Sequence, residues 1–156
     1  MTDAVITAEP GTQNITITRE FDATPEQVFR AHVDPDLYSK WVGPNGYEMD
    51  LTAFEPKDGG RYAFTHINPE GNRFGFRGVF HGEPTVDGIT QTFEFLGAPG
   101  LVSIDVTHFE DLGDGRTRLV GTSTFPSVES RDAILDNGME RGVNEGYSRL
   151  DALLKD

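Results

Sequence analysis

Residues 138–146 read GMERGVNEG, and this stretch decides how the rest of the chain must be arranged. Its three glycines recur every fourth residue, within a segment whose apolar residues are spaced for one face of a helix. That apolar face comprises Leu135, Met139, Val143, Leu150, Leu153 and Leu154. The pattern predicts a long terminal helix that is capped at Ser127 or Ser130 and runs towards Asp156.

The glycine row has two interpretations. Each glycine costs about 1 kcal/mol relative to alanine in a helix interior, so something must compensate for the row. In the first interpretation, the glycines let the helix backbone lie directly against a neighbouring element. In the second, the missing side chains leave a cavity between the helix and the sheet. The spacing alone does not choose between them.

Upstream of this helix, apolar and polar residues alternate with period two, which predicts strands. The first strand contains Ile15 and Ile17 and continues to Phe21. Six further strands follow, separated by short glycine-containing turns that supply the positive φ angles of hairpins. They are predicted over residues 48–54, 61–67, 74–82, 89–96, 102–110 and 116–125. Consecutive strands joined by short turns indicate an antiparallel meander.

Two short helices are predicted between the first and second strands. The sequence TPEQ at residues 24–27 supplies a capping box with proline at the first helical position. The Asp-Pro pair at residues 34–35 repeats the cap and starts a second helix, which carries Tyr38 and Trp41. These two rings either fill the core or gate the mouth of a pocket.

The predicted fold class is α+β. The sheet has one apolar face to cover, and the terminal helix is the only element long enough to cover it. We therefore expect a curved seven-stranded antiparallel sheet that grips the long C-terminal helix, with the two short helices after strand 1. Residues 1–13 are small, polar and marked by proline and glycine, so we expect a disordered tail there and a single domain over residues 14–156.

The composition excludes several classes of protein. Lys and Arg number 13 against 26 Asp and Glu, which gives a net charge of −13 with neutral histidines. A field of that sign repels phosphate backbones and anionic lipids, so we expect no nucleic-acid partner and no membrane partner. The absence of cysteine from the sequence excludes disulfides and thiolate catalysis.

The sequence also lacks the motifs of common cofactor and targeting classes. It contains no P-loop, no GxSxG motif and no histidine pair with metal-ligand spacing, so we expect no cofactor and no metal site. No apolar run approaches the ~20 residues of a membrane span. Residues 1–13 lack the basic and apolar regions of a secretion signal, and we expect a cytoplasmic protein.

The chain carries many aromatic rings, namely 11 Phe, 4 Tyr and 1 Trp. Alternation places several of them on one face of the predicted strands, opposite the glycine row. Rings that do not fill this space line a pocket, and a pocket of ~300 Å³ in so short a chain indicates a ligand. The predicted lining consists of Tyr38, Trp41, Tyr62, Phe64, His66, Phe76, Phe93, Phe95, His108, Met139, Gly142, Val143 and Gly146.

Two histidines are the weak candidates for acid–base catalysis. His66 alternates with Tyr62, and His108 alternates with Ile104, so both are predicted to point into the apolar interior. A buried histidine needs a partner or a ligand, and the alternative is a structural histidine bonded to a backbone carbonyl or a water. Asp105 is expected to face solvent because its neighbours on that side of the strand are polar.

Several motifs recur in a fixed order over roughly residues 14–155. They are REFDATP at 19–25, DP at 34–35, WVGP at 41–44, DGGRY at 58–62, FRGV at 76–79, QTFEF at 91–95, RTRL at 116–119 and GMERGV at 138–143. Together they resemble the bacterial proteins related to the activator of heat-shock protein 90 ATPase. The resemblance implies the helix-grip superfamily (SRPBCC) of START lipid-transfer domains, the major birch pollen allergen and polyketide cyclases.

The resemblance implies a cavity between the sheet and the terminal helix, often for an apolar or amphipathic small molecule. Binding of such a molecule without catalysis, as a carrier, sensor or sequestering protein, is our first hypothesis. The alternative is a cyclase, hydratase or isomerase that uses His66 or His108 in the cavity. A second alternative, suggested by the family name, is a chaperone-interaction module whose acidic surface engages a basic partner.

Overall fold

Apolar–polar alternation produces an open eight-stranded antiparallel sheet in the computed structural model, which describes residues 3–155. The strands are β1 Val5–Thr7, β2 Asn14–Phe21, β3 Glu48–Phe54, β4 Arg61–Ile67, β5 Arg73–Val79, β6 Ile89–Phe95, β7 Val102–Gly113 and β8 Arg116–Thr124. The helices in this part of the chain are α1 Pro25–Val33, α2 Pro35–Trp41, α3 Val128–Asp136 and α4 Met139–Leu154. The α+β class and the antiparallel sheet are confirmed.

The strands lie in the order β1-β2-β8-β7-β6-β5-β4-β3. From β3 to β8 each strand pairs with the next one in the chain, so the predicted meander is confirmed. β2 pairs along its whole length with β8, from Asn14 opposite Thr124 to Phe21 opposite Thr117. The segment that contains α1 and α2 therefore connects β2 to the opposite edge of the sheet at β3.

The sheet has one strand more than the seven predicted. The additional strand is β1, which lies inside the segment expected to be a disordered tail and pairs with β2 through Val5 opposite Thr18. Three residues are too few for an alternation pattern, so the sequence alone does not reveal this edge strand. The expected tail and the expected end of the last helix also include Met1, Thr2 and Asp156, which lie outside the described residues.

The capping signals of the two short helices are confirmed. The Thr24 hydroxyl accepts from the Gln27 amide, and the Gln27 side chain accepts from the Thr24 amide at 2.8 Å. The Asp34 carboxylate accepts from the Asp36 amide at 2.9 Å at the start of α2. These caps fix where α1 and α2 begin, and Trp41 is the last residue of α2.

The single long terminal helix is corrected to two helices. Gly138 adopts a left-handed conformation with φ of +76°, between the end of α3 and the start of α4. Glycine adopts such a conformation at low cost because it has no Cβ, and it commonly ends helices in this way. Gly138 is thus a break between helices, and the glycines inside α4 are Gly142 and Gly146.

Aromatic and ionic contacts fix α4 over the core. Tyr147 stacks on Trp41, with ring centroids 5.6 Å apart, and meets Phe21 of β2 edge-on at 5.5 Å. One turn later, Asp151 pairs with the buried guanidinium of Arg19 on β2 at 3.2 Å. These contacts hold the second half of α4 against β2 and α2, whereas its first half lies beside the cavity described next.

Candidate functional site

A cavity of about 370 Å³ is enclosed by residues of the sheet, of α1 and α2, of the loop after α2 and of α4. We call it the inner cavity. Most of the predicted lining residues meet around it. These are Tyr38, Trp41, His66, Phe76, Met139, Gly142, Val143 and Gly146. The inner cavity therefore lies beside the first half of α4, where Gly142 has no side chain.

A second cavity of about 380 Å³ adjoins the first, and we call it the outer cavity. The two share Pro44, His66, Phe76 and Met139 as lining residues. The outer cavity adds the predicted residues Phe93 and Phe95, together with Tyr47, Phe74, Ile134 and Asn137. Ile134 and Asn137 come from the end of α3, so both terminal helices contribute to the lining.

An aromatic wall, which we define as Phe74, Phe76, Phe93 and Phe95, lines the outer cavity. Its centre is Phe76, whose ring centroid lies 5.4 Å from that of Phe93 and 5.2 Å from that of Phe95. Phe64 stacks on Phe76 at 5.1 Å but is only 3% exposed. Phe64 therefore supports the wall from the core and does not line either cavity, contrary to the prediction.

Tyr62 is also placed behind the lining. Its side chain is 1% exposed, and its hydroxyl donates to the Thr92 carbonyl. It lies over Gly78, where an added Cβ would come within 2.6 Å of the tyrosine ring and hydroxyl. The Tyr62 side chain thus packs over β5 and reaches β6, and it is a structural residue of the sheet.

His66 lines both cavities but is bonded to the loop after α2. Its Nε2 lies 3.2 Å from the Val42 carbonyl, which can only accept, so Nε2 carries the proton. Burial lowers the pKa of His66, the Val42 bond opposes this, and the Arg149 charge lowers the pKa further. Gly43 has φ of +108°, and a Cβ there would lie 2.6 Å from the His66 ring. The neutral His66 ring therefore packs tightly against this turn.

The same loop is fastened to α4 from the other side. Arg149 donates to the Trp41 carbonyl at 3.0 Å, to the Gly43 carbonyl and to the Asn45 side chain. The Glu145 carboxylate accepts from the Asn45 amide at 2.8 Å. These bonds fix the loop that forms one wall of the inner cavity.

The two glycines of α4 do different things, so both interpretations of the glycine row apply. A Cβ on Gly146 would lie 2.9 Å from the Trp41 carbonyl oxygen, which means that Gly146 permits a close backbone approach. A Cβ on Gly142 would meet only Pro44, at an ordinary 3.5 Å. Close packing is the role of Gly146, and the unfilled space lies beside Gly142.

His32 lines the inner cavity, although sequence reasoning did not select it. Its Nδ1 lies 2.8 Å from the Val28 carbonyl, and its ring packs against Trp41 and Phe109 at 4.9 and 5.1 Å. Burial lowers the pKa of His32 to about 4, against the opposing effect of the Val28 bond. His32 is therefore a neutral ring at pH 7.

The predicted position of His108 is wrong. Its side chain is exposed on the outer face of the sheet, where Nδ1 lies 3.1 Å from the Asp87 carbonyl. The predicted alternation along β7 is present, but the face expected to point inwards is the one that faces solvent. Ile104, which shares the face of His108, is 51% exposed, while Thr107 lines the inner cavity. Over residues 103–107 of β7, the apolar residues thus face outwards and the polar ones inwards.

Asp105 is consequently inside, and its expected solvent exposure is also wrong. It lies directly opposite Gln91 on β6 and Ser123 on β7's other neighbour, β8. The Ser103 hydroxyl donates to its carboxylate at 3.0 Å. Burial raises the pKa of Asp105, while hydrogen bonds from Ser123 and Ser103 act in the opposite direction.

We call this group the polar floor; it consists of Gln91, Ser103, Asp105, Thr107 and Ser123. Gln91 and Thr107 line the inner cavity directly. One signal in the sequence could have located the group. Phe109 continues the alternation of Ser103, Asp105 and Thr107 and is buried, so a large ring at the end of the series marks the inward face.

A sequence profile of one protein family matches residues 22–155 of the chain. The family is described as Activator of Hsp90 ATPase homolog 1-like protein, or AHSA1. The chain belongs to the AHSA1 family. The match covers most of the chain, including every strand from β3 to β8 and all four helices of the described residues.

Solved bacterial structures share the fold of this AHSA1-family chain. A Rhodobacter sphaeroides protein is 26% identical with a TM-score of 0.89, and the match covers 99% of each chain. An Arthrobacter aurescens protein is 27% identical with a TM-score of 0.89, covering 99% of this chain and 92% of that one. A Silicibacter pomeroyi protein described as AHSA1 is 20% identical with a TM-score of 0.74, covering 91% and 97%. No curated protein matches significantly.

The AHSA1 family and these neighbours identify the architecture as the helix-grip fold of the SRPBCC superfamily. The resemblance stated from the sequence motifs is thereby confirmed. Within residues 3–155, no helix is long and apolar enough to cross a membrane. The same residues contain no group of three or more His, Asp or Glu side chains that could hold a metal ion.

Proposed function

We propose that this protein binds an apolar or amphipathic small molecule in the inner and outer cavities, as a carrier, a sensor or a sequestering protein. The observation that carries the proposal is the pair of adjoining cavities, of about 370 and 380 Å³, beside the first half of α4. Each volume falls within the range of ~300–1,000 Å³ that is typical of small-molecule sites. Membership of the AHSA1 family supports the same function.

The chemistry of the lining supports an apolar body for the ligand. Phe74, Phe76, Phe93 and Phe95 present rings to the outer cavity, and Tyr38, Trp41 and Tyr147 present rings to the inner one. Removing apolar surface from water contributes roughly 25 cal/mol per Å², so an apolar molecule that replaces water against these rings is stabilised there.

The catalytic alternative depended on two histidines. His108 lies on the outer face of the sheet and has no access to either cavity. His66 does line both, but its Nε2 proton is bonded to the Val42 carbonyl and its ring abuts Gly43. This arrangement suits a residue that fixes a turn, so we favour binding without catalysis.

Gly142 gives the sharpest test of the proposal, because a side chain there enters the cavity without meeting backbone. The probe is N-phenyl-1-naphthylamine, a neutral aromatic dye whose fluorescence rises in apolar sites. We expect Gly142→Leu to weaken dye binding at least tenfold. Gly142→Ala is the matched control, because one methyl group fills little space, and its affinity should stay within threefold of the native value.

Both variants must first be shown to be folded, by circular dichroism and by their unfolding midpoints. A folded Gly142→Leu protein that binds the dye as tightly as the native chain would place binding elsewhere and overturn the proposal. Native chain that does not bind the dye at all would have the same consequence.

A further inference from the structure

One side of the inner cavity is lined by aromatic rings and the other by the polar floor. This difference restricts the chemical class of the ligand. We infer that the ligand is an amphiphile whose polar end is a hydroxyl or amino group directed at Asp105, and that amphiphilic carboxylates are rejected. The inference rests on the proposed function and deepens it. It is carried by the position of Asp105, by its neighbours on three strands and by the charges around the cavity.

The alternation of side chains along β7 points Asp105 towards the interior. Thr107, two residues further along, lines the inner cavity. Phe109, two residues beyond that, packs its ring 5.1 Å from His32 of α1 and 5.8 Å from Phe29. Since side chains alternate strictly along a strand, Asp105 shares their face of the sheet.

Neighbouring strands extend the polar patch sideways. Gln91 of β6 lies directly opposite Asp105 and lines the inner cavity. Ser123 of β8 lies opposite Asp105 on the other side and hydrogen-bonds to its carboxylate, as does Ser103. Three adjacent strands thus each contribute a polar side chain at the same level of the sheet. Asp105 is therefore part of a group of polar residues and does not stand alone among apolar ones.

The charge of Asp105 acts on two tyrosines of the helices that face the sheet. Burial raises the pKa of Tyr38 and of Tyr147, that of Tyr147 to about 12, and the charge of Asp105 adds to the increase in both. Both tyrosines line the inner cavity. Gln91 and Thr107, which flank Asp105 across and along the sheet, are the floor residues that line the inner cavity, and the Asp105 charge acts on both tyrosines across it.

Hydrogen-bond capacity favours a donor on the ligand. An ionised carboxylate accepts at about four lone-pair sites, and two serine hydroxyls occupy only part of that capacity. A ligand O–H or N–H can use the remainder. Gln91 can accept as well as donate, so it can complete the hydrogen bonding of a hydroxyl or amine placed beside Asp105.

The charges around the cavities disfavour a carboxylate ligand. Among residues 3–155, the lining of both cavities contains no lysine and no arginine. The nearby guanidinium of Arg19 is paired with Asp151 at 3.2 Å, and burial keeps His32 and His66 neutral at pH 7. The Arg149 guanidinium, whose charge acts on His66, is already bonded to the Trp41 and Gly43 carbonyls. A bound carboxylate would therefore meet a like charge at Asp105 with no lysine or arginine of the lining to pair with it.

The test compares three amphiphiles with the same ten-carbon chain as competitors of N-phenyl-1-naphthylamine at pH 8. They are 1-decanol, decylamine and decanoate. In the native protein we expect decanol and decylamine each to displace the dye at least tenfold more strongly than decanoate. Asp105→Asn removes the charge at nearly constant shape, and it should reduce the discrimination against decanoate at least fivefold.

Asp50→Asn is the matched control, because it removes the same charge from an exposed position on β3 and should leave the discrimination unchanged. The native comparison requires no variant, so decanoate that competes within threefold of decanol would overturn the inference even if Asp105→Asn fails to fold. An unchanged ratio in folded Asp105→Asn would also overturn it. In both cases the native protein still binds the dye, so the proposed function is not contradicted. A native protein that does not bind the dye would contradict both the proposed function and this inference.

Discussion

The aromatic wall and the polar floor belong to adjoining cavities, and β6 contributes Phe93 and Phe95 to the wall and Gln91 to the floor. The strands on either side of β6 differ in the kind of side chain that faces inwards. On β4 and β5 the inward residues are rings such as His66 and Phe76, and the outward residues include exposed Arg77. On β7 the inward residue Asp105 is polar, and the outward residue Ile104 is 51% exposed.

The comparison shows that β7 contains residues that lower the stability of the fold. Ile104, which is 51% exposed, gains only part of the free energy of burial, and the desolvated Asp105 loses hydration, so β7 is unfavourable on both faces at these two residues. On β5 the inward Phe76 is stacked on other rings and the outward Arg77 is exposed, so that strand has no such conflict. Local departures from the rules that stabilise a fold are expected at functional sites, and β7 is where this chain departs from them.

The largest expected effect concerns the aromatic wall. Phe76→Ala removes a ring that stacks on Phe64 and Phe93, and we expect unfolding in urea to become easier by about 3 kcal/mol. Dye binding should weaken together with stability. Thr107→Val is the corresponding change on the polar floor, and it should alter the free energy of unfolding far less. Equal losses of unfolding free energy in the two variants would contradict the distinction between the aromatic wall and the polar floor.

The pH dependence of stability should have opposite signs at the buried histidines and at Asp105 of the polar floor. Because burial lowers the pKa of His32 from 6.5 to about 4, the unfolded chain binds the extra proton first as the pH falls. Stability is therefore complete above pH 6.5 and declines towards pH 4, by about 3 kcal/mol for this residue. His66, whose pKa burial also lowers, adds to the decline.

Urea denaturation at pH 7 and at pH 5 measures this slope. His32→Phe keeps a ring between Trp41 and Phe109 but cannot be protonated, so it should reduce the pH dependence. The account of His32 fails if the native protein and His32→Phe lose the same free energy between the two pH values.

The two glycines of α4 should respond to alanine with opposite signs. Gly146→Ala drives a Cβ to 2.9 Å from the Trp41 carbonyl, and we expect a loss of about 2 kcal/mol. Gly142→Ala makes only an ordinary contact with Pro44 and should gain up to about 1 kcal/mol of helix propensity. Thermal unfolding of the two variants distinguishes close packing from open space, and destabilisation by both would remove the distinction.

The smallest expected effect is at Asp105. Since burial raises its pKa, the folded protein is most stabilised by this group below pH 3.8 and loses that contribution as the pH rises through the raised value. Asp105→Asn should therefore raise the unfolding midpoint at pH 8 and leave it nearly unchanged at pH 4. A variant that is less stable at pH 8 would show that the carboxylate stabilises the fold.

Local signals in the sequence were sufficient for much of the fold. The strands Glu48–Phe54 and Arg61–Ile67 have the predicted bounds, and the caps at Thr24 and Asp34 start the helices where expected. Each of these features depends on residues close together in the chain. The family resemblance extended the same information to the topology.

The features that were missed depend on contacts between distant residues. β1 exists because β2 offers an edge, and the break at Gly138 depends on where α4 must dock. At the site, the apolar residues of β7 predicted that the wrong face of the strand points inwards. His108 was therefore expected in the interior and Asp105 in solvent, whereas the structure has them the other way round. The loop at Gly43 and Pro44 was also missed as lining, because its position depends on Arg149 of α4.

The most direct test of the cavity as a binding site is a ¹⁵N–¹H correlation spectrum of the protein titrated with N-phenyl-1-naphthylamine. We expect the largest shift changes at the amides of Gln91, Thr107 and Gly142, which surround the inner cavity on the sheet and on α4. Changes confined to exposed residues that line neither cavity, such as Val5 and Ile104, or a spectrum that does not change, would contradict the account.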